Sequence, residues 1–421
     1  MKIRHRLRGL LALGALLAIG ASSAAAQTVA ITGGTVFPVS GPKIDNGTVI
    51  LKDGKIVAVG AGLAVPSGAI RVDATGKWVT PGLFHAFSSY GLTGVESVGE
   101  TSEGGHAGDV NPAFNVAEGI DPAAVTIPVA RMQGITTAFI GPSSDLVSGQ
   151  GVLIDLAGDR IEDLVALNPA AMVMGFGASV KRAGGGSRAG VMERLRQLLQ
   201  DAAEYQHRKA DYDQNRMQTL SAPAAELEAL APVLSGKEPV IAEANRRSDI
   251  ESALRLAREF HLKLMIRGGT EAWMVAGELA RAGVPVLVRN LTDVPTFDGL
   301  NARLDNATIL QQAGVKVVIA QNDDSRDRDL RFVAGNAVRN GMTWDQALRA
   351  ITLSPAEAFG VADRWGSLEA GKTADVVVWS GDPLDFSSRA EHVFIRGTDV
   401  PLKSRMTELL ERYRHLPVKY F

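Results

Sequence analysis

Histidine and carboxylate side chains are the groups of this chain that could bind a metal ion or move a proton, because they donate lone pairs at neutral pH. The chain has seven histidines and no cysteine. Beyond residue 26, five histidines lie outside the predicted strand ends: His106, His207, His261, His392 and His415. The exception is His85, which lies in an apolar run that predicts a strand. One imidazole does not make a metal site, so His85 is either a functional group or a hydrogen-bonded core residue.

Other candidate motifs are weaker. Arg246 and Asp298 could contact a bound ligand, although such residues are more often structural. Residues 148–151 follow a predicted strand and could form a tight loop, but no Lys or Ser/Thr completes a phosphate-binding loop. The chain contains no Gly-x-Ser-x-Gly sequence, so a serine hydrolase nucleophile motif is absent.

The first 26 residues predict an export signal. Four basic residues, Lys2, Arg4, Arg6 and Arg8, are followed by the apolar segment 7–19 and by Ala24 to Ala26 as a cleavage site. The apolar run is shorter than the roughly 20 residues that a membrane-spanning helix needs. We therefore expect an exported protein, periplasmic or secreted, with no membrane segment after signal cleavage.

Charge and cysteine content narrow the function classes. The full chain has 44 Lys and Arg against 46 Asp and Glu. The charged residues of the predicted signal are all basic, so its cleavage makes the net charge more negative. A mildly acidic surface of mixed sign argues against nucleic acid as a partner. The absence of cysteine excludes disulfides, thiolate metal sites and a cysteine nucleophile.

The elements that must position these residues form two groups. Short strands with turns occupy residues 27–80, including an Asp53-Gly54 hairpin signal, and the same pattern returns at 366–401. These two ends predict one composite β-sandwich domain. The middle, 81–365, alternates apolar strand-like runs with helical patterns, which predicts an α/β fold of parallel βα units. The predicted strands cover residues 136–140, 171–174, 240–242, 264–266, 284–288 and 315–319.

Helical patterns complete this picture. A helix from residue 250 to 260 would be capped by Ser248 or Asp249, and one from 344 to 351 by Thr343. Residues 184–230 predict a helical insertion after a glycine-rich loop, which is either a surface insertion or a lid. Residues 402–421 predict a C-terminal helix that docks or forms an interface.

Two segments resemble the amidohydrolase superfamily of metal-dependent hydrolases. One is Val79-Thr-Pro-Gly-Leu followed by Gly91, and the other runs from Gly366 to Trp379. The resemblance is closest to exported, imidazolonepropionase-like members and covers nearly the whole chain beyond the signal. It implies a (β/α)8 TIM-like barrel, hydrolysis of a C–N bond in a small cyclic amide, N-acyl or peptide-like molecule, and a divalent metal such as zinc at the C-terminal face.

The expected metal ligands of the family are largely replaced. Phe87 and Ser89 stand at the His-x-His pair of the first barrel strand, and Glu243 stands at a middle-strand histidine. Arg267 and the two glycines after it stand where another histidine is common. A reduced metal site would therefore use His85 and Glu243, together with an aspartate from the last strand.

That aspartate should follow the strand at 315–319. Asp323 is the preferred equivalent of the family's catalytic residue and Asp324 its rival, since either could act as a general base. The alternative is a solvated loop, because charges alternate in sign from Asp323 to Arg331. Glu271 could join Asp323 in a metal-free acid–base pair, or it could simply be a carboxylate favoured at a helix start.

Two functions remain open from the sequence. The first is a hydrolase acting on a C–N bond of a small molecule, with Arg267, Arg246 and Asp298 as candidate substrate-binding residues. The second is a non-catalytic binding or partner protein, which the loss of histidines at both strand sites favours. Either protein could form a homo-oligomer or pair with an intact amidohydrolase.

Overall fold

The computed structural model describes residues 27–94, 98–105, 108–289, 291–320 and 329–414. Asp323 and Asp324 therefore lie outside the described residues. The described strands are β1 Val29–Val36, β2 Ile44–Lys52, β3 Lys55–Ala61, β4 Ile70–Asp73, β5 Trp78–Pro81, β6 Leu83–Ser88, β7 Ile135–Ile140, β8 Val147–Asp155, β9 Val165–Gly175, β10 Val240–Ala244, β11 Leu264–Gly268, β12 Val286–Val288, β13 Val317–Ile319, β14 Val376–Trp379, β15 Ala390–Ile395 and β16 Thr398–Asp399.

Most of the described helices follow barrel strands. They are α1 Thr126–Met132, α2 Ile161–Leu164, α3 Arg188–His207, α4 Lys209–Asp213, α5 Ala224–Ala229, α6 Ala231–Leu234, α7 Arg247–Phe260, α8 Ala276–Ala282, α9 Asn306–Gln312, α10 Leu330–Arg339, α11 Trp344–Ala350, α12 Leu353–Ala358 and α13 Arg405–Tyr413. In this described part, no helix is long and apolar enough to cross a membrane.

Strands β6 to β13 form a nearly closed barrel sheet in chain order. Strand β8 runs antiparallel to both of its neighbours, whereas the other adjacent pairs are parallel. At the seam, α12 lies against both β6 and β13, and the backbone N–H of Phe84 donates to the carbonyl of Ile351 at 2.8 Å. The predicted TIM-like barrel is confirmed, with one reversed strand.

Apolar side chains fill both faces of this sheet. An inner cluster inside the barrel includes Phe84, Phe87, Phe139 and Val318. Phe359, which directly follows α12, belongs to the same cluster. A larger outer cluster packs the strands against the surrounding helices. The barrel interior is therefore a packed core below its mouth, as the layered side chains of such barrels require.

The second sheet combines both ends of the chain. Its order is β16-β15-β14-β5-β1-β2-β3, with β4 beside β1. Strand β5 is antiparallel to β14, and Trp78 lies opposite Trp379 in the ladder. The Asp53-Gly54 turn joins β2 and β3 with φ of 53° and 72°, which is the conformation that a tight hairpin turn needs.

The insertion and the C-terminal helix differ in their packing. Helix α3 buries Val191, Leu195 and Leu199 in the outer cluster and lies against α5, α6 and α7. It is therefore part of the outer helix layer, which does not fit the alternative of a lid. Helix α13 buries none of its residues, and Leu410 is 64% exposed.

One local prediction is confirmed and two are wrong. The capping residue Thr343 accepts a hydrogen bond from the N–H of Gln346, as predicted. Ser248 and Asp249 do not cap α7, which begins one turn earlier than expected, at Arg247. The predicted tight loop at residues 148–151 is wrong, because these residues belong to β8.

Candidate functional site

A cavity of about 370 Å³ lies at the carboxyl ends of the barrel strands. We call it the mouth cavity. Phe87 and Ser88 line it from the end of β6, Glu243 from β10 and Arg267 from β11. The other lining residues are mostly hydroxyl-bearing, small or charged: Ser89, Leu92, Thr93, Ser102, Gly104, Gly141, Pro142, Ser143, Ser144, Gly177, Ser179, Asn245, Arg289 and Asp298. The position matches where ligands bind in barrels of this type.

An ion pair stands at the centre of the mouth cavity. Glu243 and Arg267 are register partners on the neighbouring strands β10 and β11, so their side chains leave the sheet on the same face. An Oε1 atom of Glu243 contacts Nη1 of Arg267, and the side chains are only 13% and 5% exposed. The Oγ of Ser144 donates to the other carboxylate oxygen, Oε2.

The ring of Phe87 covers this pair. The Cζ atom of Arg267 lies 3.5 Å from the centroid of the Phe87 ring, which is a cation–π contact. A Cβ at Gly141 would overlap the same ring, so glycine there gives the ring its space. Gly268, directly after Arg267, has φ of 97°, which side chains rarely adopt, and it turns the chain away from the strand.

Asp298 is fixed at the rim of the mouth cavity. Its Oδ1 accepts from Nη2 of Arg188 at 2.6 Å, and its Oδ2 accepts from the N–H of Ala178 at 3.0 Å. The Nε atom of the same guanidinium donates a hydrogen bond to Oδ1 of Asp249 at 2.7 Å. Asp298 therefore anchors the start of α3 beside the mouth, and it shares the positive charge of Arg188 with Asp249.

His85 is fully buried and does not line the mouth cavity among the described residues. Its ring packs edge-on against Tyr90 with 5.7 Å between centroids. Burial, and next the positive charge of Arg267, lower the pKa of His85 to about 3. The imidazole is therefore neutral at ordinary pH, and the structure does not bring it into the cavity with Glu243.

Glu271 lies away from the mouth cavity and holds a helix start. Burial opposes its ionisation, but hydrogen bonds from the N–H of Arg247 at 2.9 Å and from Asn301 outweigh this and lower the pKa of Glu271. The carboxylate thus caps α7 from a distant part of the chain. Arg246 precedes α7 and, in the part of the chain that is described, does not line the cavity either.

The donor set around the cavity does not fit the metal that the fold family implies. Phe87 offers no ligand atom, and Glu243 is already neutralised by a guanidinium. Across the described ranges, no group of three or more His, Asp or Glu side chains is placed to hold a metal ion. A metal needs several such donors converging on one point.

Sequence reasoning missed several polar residues of the mouth cavity, and Ser144, Asn245 and Arg289 are three of them. Each follows the end of a barrel strand, after β7, β10 and β12 respectively. A search for polar residues just beyond predicted strands would have found them. Of the predicted and described site residues, the structure brings together Glu243, Arg267 and Asp298, and it places His85, Arg246 and Glu271 elsewhere.

Comparison with known proteins agrees with the fold. A model of the amidohydrolase family matches residues 303–406. A solved amidohydrolase from Thermotoga maritima MSB8 is 32% identical with a TM-score of 0.80, over 89% of this chain and 99% of that one. Amidohydrolase tasK of Hapsidospora irregularis is 24% identical over 84% of this chain, which spans only 39% of that longer protein. Imidazolonepropionase of Mesorhizobium japonicum is 25% identical, over 86% of this chain and 92% of its own length.

The barrel and its mouth cavity define a TIM-barrel protein with its site at the C-terminal face. With these relatives, the chain belongs to the amidohydrolase superfamily. It lies in the imidazolonepropionase-like branch of that superfamily. The family predicted from Val79 to Gly91 is confirmed.

Proposed function

We propose that this protein hydrolyses a C–N bond of a small polar molecule in the mouth cavity, by acid–base chemistry and without the family's histidine-held metal. The contact between Ser144 Oγ and Glu243 carries this proposal, since the carboxylate already accepts a hydrogen bond from a hydroxyl group inside the cavity. The reaction class is inferred from family membership, and the location of the site is inferred from the mouth cavity.

The roles follow from the chemistry of each group. Glu243 accepts a proton from the attacking water, which replaces the Ser144 hydroxyl as its hydrogen-bond donor. Guanidinium N–H groups of Arg267 and Arg289 stabilise the negative charge that develops on the carbonyl oxygen. The proton held by Glu243 then passes to the leaving nitrogen. Asp323 and Asp324 remain predictions as rival bases.

The experiment is a panel of cyclic amides, N-acyl amino acids and dipeptide-like amides, assayed with and without chelator. We expect turnover that chelator does not change and that is strongly reduced in Glu243→Gln. Chelator-sensitive turnover, or turnover unaffected by Glu243→Gln, would contradict the proposal. Gly277→Ala is the matched control, because a Cβ there meets nothing within 4 Å.

A non-catalytic binding protein is the second candidate. It is favoured because both oxygens of Glu243 are already engaged, one by Arg267 and the other by Ser144. Under this alternative, ligands from the panel raise the melting temperature without being consumed. Export, assembly into a homo-oligomer and pairing with an intact amidohydrolase also stay proposals.

A further inference from the structure

We propose that the guanidinium of Arg267 takes the place of the family's metal, so that the mouth cavity carries a built-in cation and needs no metal to form. This inference does not depend on hydrolysis. It concerns what occupies the centre of the barrel mouth, and it applies equally to an enzyme and to a binding protein.

The placement of three residues supports it. Phe87, Glu243 and Arg267 come from three different strands, β6, β10 and β11. The carboxylate of Glu243 and the ring of Phe87 both contact the guanidinium of Arg267. These are strand positions at which the resemblance expects histidine ligands. The positions therefore still converge on one positive charge, but their side chains now hold an organic cation.

The surroundings are built for a guanidinium. The planar group lies under the face of the Phe87 ring at 3.5 Å, and Glu243 neutralises it from the neighbouring strand. Arginine is more weakly hydrated than lysine and stacks on aromatic faces, which suits a position that is 5% exposed. A metal ion would gain nothing from the aromatic ring and would be repelled by the fixed cation.

The guanidinium supplies a fixed positive charge at the mouth cavity. Unlike a metal, a guanidinium cannot activate a bound water, so its contribution is limited to N–H donors and charge. It would therefore hold a carbonyl or carboxylate oxygen of a ligand.

Full-length purified protein can be tested by elemental analysis and by thermal unfolding with EDTA, with excess zinc and without either. We expect no stoichiometric zinc and the same melting temperature in all three conditions. Zinc at about one ion per chain, with a melting temperature that falls in EDTA, would overturn the inference. These readouts involve no turnover, so they stand even where the proposed hydrolysis fails.

A chemical-rescue experiment tests the position itself. In Arg267→Ala, low millimolar methylguanidinium should raise the melting temperature by filling the vacated place, while zinc should not. The control is Arg289→Ala, which removes another arginine of the same cavity. Stabilisation of Arg267→Ala by zinc and not by methylguanidinium would contradict the inference. If Arg267→Ala does not fold, Arg267→Lys is the second variant, because it keeps the positive charge. This variant should bind no zinc, and EDTA should not change its melting temperature. Zinc binding by Arg267→Lys would count against the inference.

Discussion

Gly141 and Phe87 fit each other at the barrel mouth: a Cβ on residue 141 would overlap the Phe87 ring. The same ring contacts the guanidinium of Arg267, with 3.5 Å between Cζ and the ring centroid. The two positions come from the ends of neighbouring strands, β6 and β7. The Phe87 ring on β6 therefore requires glycine at position 141, directly after β7.

Gly141→Ala should destabilise the protein by about 1–3 kcal/mol, the usual effect of overpacking a well-filled core. Denaturant unfolding measures this. Adding Phe87→Leu to Gly141→Ala should recover part of the loss, because the smaller side chain gives the new methyl group space. If Gly141→Ala alone is as stable as the parent protein, the described packing of Phe87 is wrong.

Arg267→Met and Glu243→Gln should each destabilise the fold, since each leaves the other partner buried without its counter-charge. Removing one member of a buried pair typically costs about 3–5 kcal/mol. The double variant should lose less than the two single losses added together. A double-mutant cycle by urea unfolding measures the coupling, and purely additive losses would show that the two side chains do not interact.

Glu238 predicts a pH-dependent loss of stability. It is 4% exposed, and among the described residues neither carboxylate oxygen has a hydrogen-bond partner. Burial raises the pKa of Glu238 to about 7 from 4.5. The folded state therefore holds a proton that the unfolded chain has lost, and stability falls as pH rises from about 4.5 to about 7.

Glu238→Gln should remove this dependence. At pH 5 the protonated acid and the amide are similar in shape and charge, so the two proteins should be about equally stable. At pH 8 the variant should be more stable by roughly 2–3 kcal/mol, from the size of the pKa shift. Unfolding midpoints at both pH values check this, and an equal difference at pH 5 and pH 8 would contradict it.

Glu271→Gln tests the capping of α7. The folded-state pKa of Glu271 is lowered, so its contribution is present above the unfolded value of 4.5 and is lost as pH falls through the lower folded value. We expect a loss of about 0.5–2 kcal/mol at pH 7, typical for a helix cap. The loss should shrink at low pH, where the parent carboxylate is also neutral. A loss independent of pH would exclude a role for its charge.

Sequence patterns predicted the fold well because apolar runs mark barrel strands locally. Each strand segment expected between residues 136 and 319 overlaps a strand of the structure. Strand β8 was missed because Gly149 and Gly151 make it resemble a loop. These glycines are needed for packing: a Cβ at 151 would overlap the Phe139 ring, and one at 149 the carbonyl of Phe114. Such contacts are not visible in a local pattern.

The site was only partly predictable. Regular strand alternation would place His85 and Phe87 on the same face, but the β6–β7 ladder is irregular between His85 and Ser88. Phe87 belongs to the inner cluster, whereas Ala138, the ladder partner of His85, belongs to the outer one. Glu243 and Arg267 were singled out as departures from a pattern. Their contact depends on the register of two strands, which the sequence alone does not specify.

The central claim is that Glu243 in the mouth cavity, and not a carboxylate elsewhere, carries the chemistry. It is tested most directly by measuring kcat for Glu243→Gln and Glu271→Gln on any amide of the panel that the parent protein hydrolyses. The account predicts a decrease of about 10²–10⁴-fold for Glu243→Gln, the range for loss of a general base, and nearly unchanged turnover for Glu271→Gln. Full activity in Glu243→Gln, or a loss confined to Glu271→Gln, would contradict it.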